Sequence, residues 1–313
     1  MFSLCFKMFS KLKQINRLIN RLDVVINRVS MVNDTCVNCS IRSNQLLIEA
    51  MNSTAPLTSP LIEGNAELII SFTTYNKRIH DVHLVVESIA QQTVKPNRLI
   101  LWLDEGEFTL ESLPLILHKQ MERGLEVRFC PNYRSYKKLI PTLKEFPEAN
   151  VITIDDDVLY PYDTIELLYR EHLQEPTSII AHRVRNMNFD ERGELLDYKT
   201  WDYEIVQNKA SFQLLAIGLG GVLYPAHSLH EKCLDVECFT RLAPFADDVW
   251  FKAMALLNKT KCKKVKDERD FLKRFHLIQE TQDIALYNNN IGDNDLQIKA
   301  VFNQFELYPK LLD

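Results

Sequence analysis

The chain has 313 residues, of which 46% are hydrophobic and 25% charged, and a formal net charge of −5. That is enough for one large domain, or one domain with an appendage. The negative balance argues against a general nucleic-acid binder, and no apolar run reaches the roughly 20 residues of a membrane-spanning helix.

The opening "MFSLCFKMFSKLK" is broken by Lys7 and lacks a small-residue cleavage site, so no secretory signal is expected. Next, Leu12, Ile15, Ile19, Leu22, Ile26 and Val29 recur three or four apart. The spacing predicts an amphipathic helix. Its polar face is basic: Lys7, Lys11, Lys13, Arg17, Arg21 and Arg28 stand against Asp23. Three readings stay open: packing on its own domain, self-association as a short coiled coil, or peripheral contact with an anionic membrane. Cys36 and Cys39 form one CxxC with no second pair at zinc-site spacing. The seven scattered cysteines therefore read as reduced thiols, and the expected location is the cytoplasm, with any membrane contact at its inner face. "NSTAPLTSP" (52–60) reads as a linker, which gives an extension over 1–60 and a main domain over 66–313.

From Glu67 onward, strand and helix patterns alternate. "ELIISFTTY", "NRLILWLDE", "LEVRFC", "NVITIDDD" and "SIIAHR" read as strands. "DVHLVVESIAQQ", "LPLILHKQMERG", "YKKLIPTLKEF" and "YDTIELLYREHL" read as helices between them. Alternation of this kind predicts an α/β fold with a mainly parallel, Rossmann-like sheet flanked by helices. After about residue 183 it weakens. "LLAIGLGGVLYP" is apolar but interrupted by Gly218, Gly220 and Gly221. "PFADDVWFKAMALLN" enters a helix through two acids, and "NDLQIKAVFNQFELY" closes the chain as a helix. The glycines either let a bulky ligand approach the backbone or mark a bulge.

Parallel sheets carry ligands at the carboxyl ends of their strands. Three predicted strand ends read Thr73-Thr74-Tyr75, Asp104-Glu105 and Asp155-Asp156-Asp157. Clustered carboxylates are unfavourable without a positive partner. A hard divalent cation, Mn2+ or Mg2+, is the partner such a cluster usually takes. Alternation along a strand would put Asp155 and Asp157 on one side and Asp156 on the other. Helix capping accounts for one aspartate but not for three.

The succession "ISFTTYNKRI", "SIAQQTVKPNRLILWLDE", "SYKKLIPTL", "ITIDDDVLYP" resembles the nucleotide-sugar glycosyltransferases of the GT-A fold. It looks closest to the family 2-like enzymes of bacterial capsule and lipopolysaccharide clusters, over residues 66–305. The resemblance implies a nucleotide-sugar donor, most simply UDP-linked, and a glycan or lipid-linked glycan acceptor. It implies metal contact by Asp157, with Asp155 and Asp156 near the ribose and the metal. Thr73, Tyr75 and Arg78 would hold the nucleotide, Asp104 its base, and Lys138 the donor. Lys137 and Lys138 read equally well as a solvated helix face. Many relatives carry a late histidine on the metal; His276 is the histidine that follows the acidic pair. His182 ends a strand and is placed near the cleft, and His227 and His230 stand three apart.

A sugar diphosphate leaves as an anion, which a divalent cation stabilises. A carboxylate must take the proton of the acceptor hydroxyl. Asp248, then Asp247, are the candidates for an inverting base, against a helix-capping role for one of them. Two other readings are a metal-dependent nucleotidyltransferase, without a GxxxxGK loop to support it, and a membrane-associated scaffold on a degenerate transferase domain.

Overall fold

A computed structural model describes residues 37–60, 66–203, 205, 208–278 and 294–312. The predicted amphipathic helix over 12–29 lies outside the described residues. The chain divides into two compact units, Met1–Gln45 and Leu46–Asp313. Residues 37–52 are helical (α1). Among the described residues no helix is long and apolar enough to cross a membrane.

The second unit is built on a seven-stranded sheet. Its strands are β1 (Leu68–Thr73), β2 (Arg98–Asp104), β3 (Leu125–Cys130), β4 (Asn150–Thr153), β6 (Ile179–Asn186), β7 (Leu214–Tyr224) and β8 (Cys262–Lys264). The order is β3-β2-β1-β4-β7-β6-β8. All neighbours are parallel except β4–β7 and β6–β7. Helices α2 (Val82–Ala90), α3 (Leu115–Met121), α4 (Ile140–Glu145) and α5 (Thr164–Gln174) connect the strands as the alternation predicts. "LII" and "LILWL" are apolar at every position because both sheet faces are covered. On the edge strand β3, Glu126 and Arg128 are half-buried, and charge of this kind discourages edge-to-edge pairing.

The stretch 52–60, expected as a linker, is part of the domain surface. Leu57 is fully buried, and its N–H donates to Arg123 O at 2.9 Å. Ser59 N donates to Pro96 O at 2.8 Å. Arg123 also makes a two-pronged ion pair with Glu87 of α2, at 2.8 and 2.9 Å. Serine, threonine and proline here make a strap whose polar backbone is satisfied by the domain.

β1 pairs with β2 on one side and β4 on the other, so the chain reverses its direction of travel across the sheet between β1 and β4. That switch point opens a crevice at the strands' carboxyl ends. β4 ends at Thr153, and Asp156 and Asp157 lie in a turn. Strand alternation therefore does not sort the three aspartates. After the turn, β5 (Val158–Leu159) pairs with β9 (His276–Leu277) in a separate two-stranded sheet.

β7 carries a wide bulge. Ala181 faces Val222 and Arg183 faces Ile217, so Gly218–Gly221 stand opposite His182 alone. Gly220 and Gly221 have φ of +99° and +97°, a region where a Cβ is strained. A Cβ on Gly220 would also lie 2.7 Å from Cε2 of Phe271, in the short helix α8 (Phe271–Arg274). Gly220→Ala is expected to destabilise the domain by about 2–3 kcal/mol. The check is a lower urea midpoint at unchanged slope.

The main helix of the second half, α7 (Asp247–Leu257), buries Val249, Trp250, Phe251, Ala253, Met254 and Leu256. An apolar surface on nearly every side means a helix enclosed by neighbours. α6 (Val236–Leu242) and the closing helix α9 (Asn294–Gln304) enclose it, and Trp250 Nε1 donates to Cys233 O at 3.2 Å. Each large side chain so buried contributes about 1.5–3 kcal/mol. That packing fixes where the two acids of the first turn stand.

Candidate functional site

A cavity of about 1130 Å3 lies at the switch point. Thr73, Thr74, Tyr75 and Arg78 line it from the segment after β1, and Asp155, Asp156 and Asp157 from the turn after β4. Lys137 and Lys138 reach it from a 3-10 turn, Arg134–Lys138, and Asp247 and Asp248 from the first turn of α7. Residues far apart in sequence meet because successive parallel strands all end at this edge.

The aspartates have different partners. Thr74 Oγ1 donates to Asp156 Oδ2 and Arg78 Nη1 to Asp156 Oδ1, both at 2.6 Å. Arg78 Nη2 lies 3.1 Å from Asp157 Oδ2. Asp155 Oδ1 lies 3.3 Å from Lys138 Nζ. The positive partner that sequence reasoning seeks in a metal is thus supplied in good part within the chain. Burial nonetheless pushes the Asp156 carboxyl up to about 6, with Asp157 adding to the rise and Arg78 opposing it.

Lys138 sits between the two acidic groups. Its Nζ is 3.0 Å from Asp247 Oδ2, an ion pair. Burial acts to discharge the ammonium, but Asp155, Asp247 and Asp248 together hold it charged, well above the ordinary lysine range. A Cβ on Gly218 would come 2.9 Å from this nitrogen. Gly218 therefore leaves room for the Lys138 ammonium beside Asp155, and Gly220 is needed for the bulge and the Phe271 ring. The turn that carries Lys138 is fixed by Tyr136, which stacks on Phe239 with ring centres 4.1 Å apart. Tyr136 also donates its hydroxyl to Ala243 O at 2.5 Å.

Helix capping does not occupy the acidic pair, because Ala246 holds the N-cap position of α7. Asp248 Oδ2 accepts from Gly218 N at 3.2 Å. Burial, then the charge of Asp247, pushes the Asp248 carboxyl up to about 7 against the pull of Lys138. The two acids are thus differentiated: Asp247 is paired with an ammonium, while Asp248 is held near neutrality with one backbone donor.

Other expected residues stand apart from the cavity lining. Asp104 accepts from Gly106 N at 2.8 Å and closes a turn. Leu277, rather than His276, lines the cavity from β9. His182 is buried, donates Nε2–H to Thr164 O at 3.0 Å, and is pushed down to about 4 by burial. His227 lies 2.9 Å from Glu148 on the surface, and His230 Nδ1 accepts from Lys232 N in a local turn. Thr73 lines the cavity, although its hydroxyl donates to Trp102 O at 2.8 Å.

Lys137 lines the cavity at only 3% exposure, so it is not on a solvated helix face. Burial lowers its pKa, opposed by the charges of Asp104, Glu107 and Asp156. Sequence reasoning missed Arg183, Arg185, Tyr198 and Tyr203, all of which line the cavity. A signal was present in "AHRVRN", where the two arginines alternate along β6, which runs past the end of the strand expected from "SIIAHR".

Among the described residues, no group of three or more His, Cys, Asp or Glu side chains forms a metal-binding cluster. The donor set still suits a hard cation that keeps waters and takes substrate phosphates, because the carboxylate residues Asp155 and Asp157 both line the cavity.

The chain matches no family model, and no characterised sequence is significantly similar to it. Fold and site together define a Rossmann-like α/β protein with a cavity lined by both acidic and basic side chains at the switch point of its sheet.

Proposed function

We propose that the protein is a metal-assisted, inverting GT-A-type glycosyltransferase that moves a sugar from a nucleotide-sugar donor to a glycan acceptor in surface polysaccharide biosynthesis. The observation that carries the reading is Asp248. A half-buried carboxyl pushed up to about 7, beside Asp247 in a large cavity, is matched to general-base work near neutral pH.

Thr73, Tyr75 and Arg78 hold the nucleotide at the β1 end, with Lys137 as a further cation beside it. Asp157 and Asp155 would hold Mn2+ or Mg2+ beside the diphosphate. When bound, that ion supplies Lewis-acid stabilisation of the leaving diphosphate. Asp248 accepts the proton of the acceptor hydroxyl as the hydroxyl oxygen attacks the sugar. Burial, which disfavours the charged carboxylate, favours the protonated product of that step. Lys138, 3.0 Å from Asp247 Oδ2, orients that side chain beside the base.

The test is titration with UDP, GDP and CDP, with and without manganese, beside Asp157→Ala. Manganese-dependent binding of one nucleotide, lost in the variant, is expected. No binding of any of the three overturns the reading. Because Arg78 and Lys138 already balance the aspartates, manganese alone should change the melting temperature little. Manganese with the cognate nucleotide, at about a hundredfold excess over Kd, should add about 2.7 kcal/mol and raise the melting temperature by several degrees. A large shift with manganese alone would show that the internal ion pairs leave the cluster short of positive charge.

A further inference from the structure

Helix α1 has two apolar faces, and the chain covers one of them. Leu46 and Ala50 are buried, and Lys119 of α3 donates to Met51 O at 3.0 Å. On the other side Val37, Ile41, Ile48 and Met51 are between 49% and 60% exposed. Single exposed apolar residues are ordinary on a surface, but a row of four along one helix marks an interaction face. With exposed Asn44 the series runs 37, 41, 44, 48, 51, in alternating steps of four and three. Those are the steps of the core positions of a heptad. Ile41 and Ile48 take position a, and Val37, Asn44 and Met51 take position d.

The row continues in the sequence before α1. On a wheel of 3.6 residues per turn, Leu12, Ile15, Ile19, Leu22, Ile26 and Val29 fall with Val37, Ile41, Ile48 and Met51 inside one arc of about 120°. α1 alone supplies about two heptads, whereas a coiled coil is recognised from three or four. The chain before it supplies the remainder.

The charges leave the row open to another helix. With Leu12, Ile19 and Ile26 at a, the basic residues Lys13, Arg17, Arg21 and Arg28 fall at b, f, c and c, away from a partner. The flanking e and g positions of α1 are Asn38, Ser40, Gln45, Leu47 and Asn52. None is charged, so two copies do not repel across them. A helix lying on an anionic membrane carries several Lys or Arg on its polar face. α1 has Arg42, offset by Glu49. Asn44 points the same way: an amide is unfavourable in a bilayer, whereas amides in a coiled-coil core specify register at a cost in stability.

We propose that α1 and the segment before it pair with a second copy of this chain as a two-stranded coiled coil through the Val37–Met51 row. β-branched residues at a favour two strands. The pairing is independent of the glycosyl-transfer reading.

Sedimentation velocity of the full chain, over a range of concentrations, is the test. The expected mass is that of two chains. Ile41→Lys combined with Ile48→Lys should weaken association at least about a hundredfold, because two apolar core positions in each chain become charged. Both side chains are more than half exposed, so the variant should fold. Unchanged emission from the buried Trp102, Trp201 and Trp250 verifies that. If the charged variant does not fold, Ile41→Ala with Ile48→Ala carries the same test by removing apolar surface alone. A one-chain mass for the unaltered protein at every concentration overturns the proposal, as does a two-chain mass that the paired substitutions leave unchanged. Single chains that bind phosphatidylserine vesicles through the same isoleucines also overturn it, and give the row to a membrane.

Discussion

Asp248→Asn is expected to lower sugar transfer by about 10²–10⁴-fold while nucleotide binding is kept. The amide retains the size of the carboxyl but cannot accept the acceptor's proton. In the unaltered protein, activity should rise with pH through about 7 as Asp248 ionises. The stability change has a definite sign. The folded carboxyl titrates above its ordinary value of 3.8, so its charge opposes folding increasingly as pH rises from about 4 to about 7. Below that window the acid is neutral in both states and nothing is lost. The variant should therefore resist urea at least as well as the unaltered protein at pH 8, with the difference vanishing near pH 4. Transfer undiminished in Asp248→Asn would remove the residue from the mechanism. Intact binding with the loss moved to Asp247→Asn would exchange the roles of the pair.

Arg78→Ala should be among the most destabilising single changes in the site, by about 3–5 kcal/mol at pH 8, because it leaves two buried carboxylates with one partner removed. Arg78 and Asp156 are each only 5% exposed, so solvent screens this pair weakly. One guanidinium serves both Asp156 and Asp157, through different nitrogens, a geometry that lysine cannot reproduce. Asp156 already titrates at about 6 with Arg78 present. Without Arg78 its proton affinity rises further, so acidification to pH 5 should neutralise it and narrow the gap between variant and parent. Urea unfolding at the two pH values checks this. A stability difference independent of pH would mean that lost packing against Tyr75, 5.2 Å from the guanidinium, outweighs the charge.

The fold was readable because its strands are short apolar runs ended by polar residues. "LIISFT" and "RLILWLD" admit few alternatives when helices of the right period follow each of them. The proposed donor side of the cavity was readable for a related reason: Thr73, Tyr75 and the three aspartates stand at or just after the ends of β1 and β4. What escaped depends on contacts across long sequence separations. That Arg78 balances Asp156 requires the turn after β1 to meet the turn after β4, 78 residues on. Asp104 looked identical to a ligand-contacting acid, yet a local turn takes its oxygen. The glycines of β7 could be read as room for a ligand or as a bulge, and only the positions of Lys138 and Phe271 decide what each one clears. Arg183 and Arg185 carried a period-two signal, but the weakened alternation beyond residue 183 hid which face their strand turns inward.

Lys138 lies between Asp155 of the proposed diphosphate site and the acidic pair that holds the proposed base, at 3.3 Å from Asp155 and 3.0 Å from Asp247. The negative charge of Asp155 is also one of the influences that raise the Asp248 carboxyl. The two ends of the cavity therefore act as an electrostatic interlock. On the glycosyl-transfer reading, a donor carrying a cation would draw off the charge of Asp155, leave the ammonium more fully to the α7 pair and lower the proton affinity of Asp248. More of the base would then be ionised with the sugar to be moved in place than in the empty protein. An amine shared between two carboxylates would thus favour loading the donor before the acceptor.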